Sequence, residues 1–253
     1  MKTEFHRYRA GLVQLLLDTD PIHTGSWQRI DTSTSPAHAT YELMDVVVRL
    51  KVPPSVGQLQ EQLQPDLPWA ERHFLERIGG VPLNPPPSHE IWPHGKFNDR
   101  HLDQGQFSHT YPERYWPREA GAIPTGIRFR YGDLQDLLNL LMRERLTRQA
   151  YLPVWFPEDT GVHHGKRVPC TIGYHFMVRD DELSCRYYMR SCDIYRHFTN
   201  DVYMTARLMQ YVASCLNEDI TKTPVRVGEL IMYISSLHAF VGDKSKLEAM
   251  ING

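Results

Sequence analysis

Residues 168–201, VPCTIGYHFMVRDDELSCRYYMRSCDIYRHFTND, decide the fold that we predict for this chain. Apolar and polar side chains alternate after Pro169-Cys170, a polar turn follows, and the alternation returns as far as Arg190-Ser191. This pattern predicts a β-hairpin. The hairpin brings a cysteine thiol near a guanidinium and a hydroxyl, which supply a nucleophile and an anion-binding pair. The segment therefore predicts a site that modifies a nucleotide.

The remaining segments predict helices and strands in mixed order. Apolar side chains at helical spacing predict helices in residues 4–18, 67–80, 133–149 and 202–216. Apolar and β-branched runs predict strands in residues 41–50, 150–156 and 229–235. The expected core side of the first helix comprises Phe5, Tyr8, Leu12, Leu15 and Leu16. Asp133 is the expected N-cap of the third helix. The expected core face of the last helix includes Val202, Ala206, Met209 and Ala213. We find no internal repeat and no linker, so the sequence predicts one α+β domain over residues 1–253.

The composition indicates a globular protein and argues against nucleic acid and membrane as partners. The 253 residues suffice for a sizeable core, and a hydrophobic content of 41% with 23% charged residues is ordinary for a globular protein. The net charge of −2 argues against a nucleic-acid partner, since such proteins usually carry a basic surplus. The N-terminus has no signal-peptide pattern and no run is long enough for a membrane span, so we expect a cytoplasmic protein.

Cysteines and histidines show no metal-binding pattern. The four cysteines lack CxxC spacing, which argues against disulfides and a structural zinc site and leaves at least one thiol available for chemistry. The histidines lie mainly in Pro- and Gly-rich segments without ligand spacing, so we expect no metal.

Three loops have both a functional and a structural interpretation. Residues 23–36 form a polar loop in which Arg29 either contacts a phosphate or lies in a plain connection. Residues 81–95 contain five prolines and Trp92, which is typical either of a rigid functional loop or of a loop that only covers the protein surface. The aromatic side chains of residues 107–117 either line a cleft or fill the core.

Pro169-Cys170, followed after a hairpin by Arg190, Ser191 and Asp193, resembles the signature of the thymidylate synthase and nucleotide hydroxymethylase superfamily. The resemblance implies a thymidylate synthase-like α+β domain with a central mixed β-sheet flanked by helices. It also implies a homodimer that uses 5,10-methylenetetrahydrofolate as co-substrate. The stretches PLNPPPSHEIWP, YPERYWP, YLPVWFPEDTG and RSCDIYRHF are most similar to hydroxymethylases encoded by bacteriophages.

The resemblance also implies the roles of individual residues. Cys170 would add to C6 of a pyrimidine, which makes C5 nucleophilic, and a nearby guanidinium would favour the thiolate. Arg190 and Ser191, with Arg148 from the second subunit, would hold the 5′-phosphate. Glu71, on a helix that ends at a glycine, would act as acid and base.

Further ligand contacts follow from the same comparison. Tyr233 corresponds to a ribose-binding tyrosine, Asp193 would lie near the pterin, and Trp92 would pack against the folate. Departures from the family pattern occur at His175, Met189, Ile231 and Gln149, where glutamines, a histidine and a second arginine are usual. These departures affect the expected contacts to the sugar and the phosphate.

Asp201 is the departure from the family pattern that affects recognition of the pyrimidine base. It occupies the position of an asparagine that reads uracil, and a carboxylate accepts hydrogen bonds where cytosine offers its 4-amino group. We therefore expect a deoxycytidylate 5-hydroxymethyltransferase with Asp201 as a catalytic and substrate-binding residue. A register slip of one would put Asn200 there and restore uracil. The sequence is also compatible with deoxyuridylate hydroxymethylation, with methylation of either nucleotide, and with a catalytically silent nucleotide- or RNA-binding relative.

Overall fold

A mixed β-sheet with helices packed on it forms the framework of the protein. The computed structural model describes residues 3–27, 30–95, 102–117, 132–160 and 167–252. The strands are β1 (Ser26–Trp27), β2 (Ile30–Asp31), β3 (Thr40–Lys51), β4 (Tyr151–Pro153), β5 (Thr171–Arg179), β6 (Glu182–Met189), β7 (Cys192–Asp193) and β8 (Arg226–Phe240). The helices are α1 (Glu4–Leu17), α2 (Val56–Leu63), α3 (Trp69–Ile78), α4 (Tyr111–Tyr115), α5 (Leu134–Arg143), α6 (Phe198–Leu216) and α7 (Lys244–Asn252).

The main sheet has the strand order β3-β8-β6-β5-β4, and the short β7 also pairs with β8. Strands β3 and β8 are antiparallel, as are β5 and β6, whereas β6 and β7 run parallel to β8. The predicted hairpin is β5 and β6, joined at Asp180 and Asp181, whose φ angles of 51° and 54° close the turn. The mixed sheet and the α+β class expected from the sequence are confirmed.

Helix α6 packs against the sheet and is buried on almost every side. Its buried residues include Val202, Ala206, Met209 and Ala213, which are the core residues that the apolar spacing predicts. The opposite face of the sheet carries large side chains that remain exposed, among them Val47 and Tyr233. The strands thus have one core face and one open face.

Most of the predicted elements are present, with shifted ends. The prediction for α1 is correct in its bounds but wrong at Tyr8 and Leu15, which are exposed because the core side of the helix is completed by Val13. Asp133 caps α5 as predicted, and its carboxylate accepts from the amide of Asp136. Helices α2 and α7 were not predicted.

Two differences in length matter for the site. Strand β8 is twice as long as the predicted segment and reaches His238 beside β7. Helix α6 begins at Phe198 rather than at Val202, so Asp201 lies in its first turn. None of the described helices is long and apolar enough to cross a membrane.

Candidate active site

A cleft opens between helix α3, the start of α6 and the open end of the hairpin. Helix α3 contributes Trp69, His73 and Arg77, which are spaced four residues apart and therefore share one face. The hairpin and its exit contribute Cys170, Ser191 and Asp193, and α6 contributes Asp201. The proline-rich loop supplies Trp92 and the segment before α4 supplies His109. The cleft therefore brings together five of the ten site residues expected from the sequence.

Cys170 is held at the start of β5 by contacts with Arg190. The amide of Arg190 donates to the carbonyl of Cys170 at 2.9 Å, and its guanidinium donates to the carbonyls of Pro169 and Val168. The guanidinium Nη2 lies 3.9 Å from Cys170 Sγ. A β-bulge follows directly, since the strand register shifts between Thr171 and Gly173. Thiol and guanidinium are thus adjacent, as predicted from the hairpin.

The carboxylate of Asp193 reaches the cleft but is already bonded within the chain. It accepts from the amides of Tyr195 and Arg196 and from the Arg196 guanidinium. Burial alone would raise the pKa of Asp193, but the charges of His238, His197 and Arg196 lower it. The neighbouring Ser191 hydroxyl lies 3.2 Å from His238 Nδ1. These bonds hold the hairpin exit against β8.

Asp201 and Asn200 lie side by side in the chain but point in different directions. Asp201 lines the cleft, and its Oδ2 lies 4.0 Å from Cys192 Sγ. Asn200 is bonded to Asp66, to which its side-chain amide donates at 2.9 Å. Burial raises the pKa of Asp201 to about 7, although the nearby Arg77 guanidinium opposes the shift. Of these two residues, only Asp201 lines the cleft.

Aromatic rings form one wall of the cleft. Trp92 stacks on His197 with ring centroids 5.3 Å apart and lies 5.6 Å from Trp69. Its indole Nε1 is buried and has no hydrogen-bond partner among the described residues. A flat heterocycle with an acceptor atom would both extend the stack and satisfy this donor.

Two predicted residues lie away from the cleft. Glu71 is on another face of α3, where its carboxylate accepts from Tyr203 at 2.7 Å and from Arg207 at 2.8 Å. Burial would raise the pKa of Glu71, but the hydrogen bonds from Arg207 and Tyr203 lower it. Tyr233 is on the open face of the sheet, where it stacks on Tyr188 at 5.2 Å. Their catalytic and ribose-binding roles stay predictions that this geometry does not support.

Two arginines outside the hairpin, Arg148 and Arg29, were also predicted as ligands of the phosphate. Arg148 is exposed just before β4, and its carbonyl lies 2.9 Å from His175 Nε2. It does not line the cleft of its own chain, so the predicted contact with a phosphate would involve a second copy. Arg29 lies outside the described residues.

Tyr111, one of the aromatic residues expected to line a cleft or fill the core, lines the cleft, whereas His109 and Arg167 were not expected there. Tyr111 lies under the Arg77 guanidinium at 4.0 Å, and its hydroxyl is 3.0 Å from Thr171 Oγ1. Arg167 and His109 also line the cleft. The four-residue spacing of Trp69, His73 and Arg77 was a visible signal, because such a face on a buried helix holds either core residues or a site.

Replacement of Asp201 by asparagine is expected to change how stability depends on pH. The folded protein keeps Asp201 protonated up to about pH 7, whereas the unfolded chain releases that proton near its ordinary value of 3.8. Stability is therefore present at low pH and is lost as the pH rises between these values. Asp201→Asn should raise the free energy of unfolding by roughly 1–3 kcal/mol at about pH 8 and much less at about pH 4.

Urea denaturation of both proteins at the two pH values measures this difference. Asp20→Asn, a change at an exposed acid, is the matched control and should leave the pH dependence unaltered. An identical pH dependence in the wild type and Asp201→Asn would contradict the assignment.

Comparison with known proteins identifies the family of this chain. The family model described as "Thymidylate synthase" matches residues 88–252. The putative thymidylate synthase of Methanococcoides burtonii is 26% identical over 196 residues, which are 72% of this chain and 80% of that protein. Thymidylate synthases of Listeria monocytogenes and Listeria innocua are 25% and 26% identical over 154 residues, 57% of this chain. The chain spans 44% of the length of these Listeria relatives. The family match covers well over half of the chain, which therefore belongs to the thymidylate synthase family.

Proposed function

We propose that this protein is a one-carbon transferase that uses methylenetetrahydrofolate to hydroxymethylate C5 of deoxycytidylate. The observation that carries the proposal is the meeting of Cys170 with Asp201 in one cleft, with Arg190 beside the thiol. Family membership supports the reaction class, and the single domain over residues 1–253 is part of the same proposal. The similarity to bacteriophage hydroxymethylases motivates the choice of product.

The nucleophile and the phosphate site belong to the hairpin. The thiolate of Cys170 would form a bond to C6, and the displaced electron pair makes C5 the attacking carbon. Nε and Nη2 of the Arg190 guanidinium donate to the carbonyls of Pro169 and Val168. Its Nη1 has no hydrogen bond to a described residue and is available for a phosphate oxygen. Ser191 adds a hydroxyl at the same edge of the cleft.

Asp201 is the residue that selects the base. As a carboxylate it accepts a hydrogen bond from the 4-amino group of cytosine. It forms no hydrogen bond with O4 of uracil, because both are acceptors. Its pKa of about 7 means that the neutral acid is present as well at neutral pH. The neutral acid has an O–H to donate, so it tolerates uracil better than the carboxylate does.

The aromatic wall fits the folate. Trp92, Trp69 and His197 offer a stacking surface, and the unpartnered Nε1 of Trp92 suits a pterin acceptor. Bound methylenetetrahydrofolate supplies the one-carbon unit, and a water molecule then gives the hydroxymethyl group. The Asp193 carboxylate already accepts three bonds from the chain, so its contribution near the pterin would be to hold Arg196 and the loop in place.

The open face of the sheet supports a homodimer. Val47 and Tyr188 both pair in register with Tyr233, and the ring of Tyr151 lies 6.5 Å from that of Tyr188. These side chains form a continuous apolar and aromatic stripe on a face that no described helix covers. Arg148 borders this stripe beside His175, so a second copy packed here would receive it near its own cleft.

Thymidylate synthesis is the second candidate, because the relatives carry that name. It would require a uracil base, which Asp201 disfavours, and a methyl product in place of a hydroxymethyl product. The two candidates therefore differ both in the base that they use and in the mass that it gains.

Incubation with methylenetetrahydrofolate and dCMP, CMP or dUMP tests the proposed reaction. The expected result is that dCMP gains a hydroxymethyl group, measured by mass spectrometry of the nucleotide. Cys170→Ser should abolish turnover, while Cys215→Ser, a change at a thiol outside the cleft, should retain it. Turnover of dUMP to a methylated product would favour the second candidate, and no turnover of any nucleotide would reject both.

Asp201→Asn is expected to shift the preference from cytosine toward uracil. The amide both donates and accepts, so the ratio of kcat/KM for dCMP to that for dUMP should fall by roughly 10- to 100-fold. In the wild type this ratio should rise between about pH 6 and about pH 8 as Asp201 ionises, whereas in Asp201→Asn it should stay flat. A ratio that does not respond to the substitution would remove Asp201 from base selection.

Complementation between two inactive variants tests the dimer and Arg148. Cys170→Ser and Arg148→Ala homodimers should each have little activity, because each site lacks one group. Their mixed dimer contains one intact site, so an equal mixture should recover about a quarter of the wild-type activity. Sedimentation measures the oligomeric state, and a monomer or a mixture without recovery would reject the shared site.

A further inference from the structure

Helix α3 presents a buried histidine, His73, to the cleft. Its ring stacks on Trp69 with centroids 5.4 Å apart and meets Tyr111 edge-on at 6.5 Å. Tyr111 in turn contacts Thr171, the residue that follows Cys170. Tyr111 thus connects His73 with the start of β5, where the nucleophile lies.

Hydrogen bonds to Glu76 and Ser88 settle which ring nitrogen of His73 carries the proton. Ser88 Oγ donates to Glu76 Oε2 at 2.5 Å, and the Ser88 amide donates to Glu76 Oε1 at 2.7 Å. His73 Nδ1 lies 3.0 Å from Ser88 Oγ and 3.3 Å from Glu76 Oε2. Since the Ser88 proton is committed to the carboxylate, Nδ1 must be the donor.

The other nitrogen, Nε2, then has a free lone pair. No described residue hydrogen-bonds it, and it is not among the buried polar atoms that lack a partner. Because the side chain lines the cleft, this lone pair is accessible from the cleft. A neutral imidazole with a carboxylate behind Nδ1 is the arrangement of a general base, because the carboxylate offsets part of the cost of forming the imidazolium.

Burial and a neighbouring guanidinium keep His73 neutral before reaction. Burial and the Arg77 guanidinium lower its pKa to about 4, with a further small contribution from His89, while Glu76 opposes them. Burial would raise the pKa of Glu76, but hydrogen bonds from His73 and Ser88 lower it, so the carboxylate stays ionised.

We propose that His73, positioned by Glu76 and Ser88, is the base that removes the proton from C5 of the nucleotide. The inference rests on the proposed function, within which it replaces Glu71. The C5–H bond breaks and the proton passes to Nε2. The electron pair forms a double bond from C5 to the transferred carbon, and the folate nitrogen leaves with the electrons of its bond to that carbon.

The surroundings of Glu71 favour this assignment. Its carboxylate binds Arg207 and Tyr203, both on α6, and lies outside the cleft lining. Glu71 thereby ties α3 to α6, which holds His73 and Asp201 in the same cleft.

Release of tritium from [5-³H]dCMP in the presence of methylenetetrahydrofolate tests the inference. His73→Gln keeps a donor for Ser88 and Glu76 but has no basic lone pair, so release should fall at least about 100-fold while the Kd for dCMP changes less than about threefold. His73→Ala should behave alike and regain part of its activity with added imidazole. His23→Gln, a change at an exposed loop histidine, is the matched control and should retain release.

Glu76→Gln separates positioning from packing. Loss of the carboxylate should reduce release and shift the acid limb of the pH profile to lower pH, because Glu76 raises the pKa of His73. Retained tritium release in His73→Gln would overturn the assignment of His73. Loss of release in Glu71→Gln, with release retained in the His73 variants, would overturn it as well. No release by the wild type from [5-³H]dCMP or [5-³H]dUMP would overturn the proposed function itself.

Discussion

The site depends on the way in which Arg190 closes the open end of the hairpin. Its amide and guanidinium donate to the carbonyls of three consecutive residues, from Val168 to Cys170. A charged donor satisfies these carbonyls more strongly than a neutral one, and it neutralises charge that develops on the adjacent sulfur. Parallel pairing of β6 and β7 with β8 then holds this end of the hairpin in register. Thiol, guanidinium and cleft are consequently positioned by one set of bonds.

Local patterns in the sequence were sufficient for most of the framework. Alternation predicted the hairpin, and apolar spacing predicted α1, α3, α5 and the core face of α6. The ends of α6 and β8 were not predictable in this way, because tertiary packing extends both beyond their local signals. The extra turn of α6 carries Asp201 into a buried position. Its raised pKa follows from that burial and from the charge of Asp193, while Arg77 opposes the shift; no local pattern brings these three residues together.

Helix α3 shows why residue types alone do not identify a catalytic group. Glu71 and His73 are two positions apart, and at about 100° per residue their side chains diverge by roughly 200°. One therefore faces Arg207 on α6 and the other faces the cleft. Both are polar residues on a helix with the expected glycine at its end, His73 buried and Glu71 half-buried, so the sequence does not distinguish them. The orientation of the helix is set by the core residues Ala70 and Phe74.

The open face of the sheet is the surface on which the proposed homodimer depends. A sheet that is covered on one side leaves its other side to water or to a partner, and the tyrosines of this face stack on one another across neighbouring strands. A second copy placed against the same stripe satisfies twofold symmetry, because each copy presents the same surface to the other. Arg148 borders the stripe and not its own cleft, so in the proposed homodimer the arrangement that buries the tyrosines would also supply a cation to the phosphate of the neighbouring site. Burial of the sheet and completion of the site would then be one event.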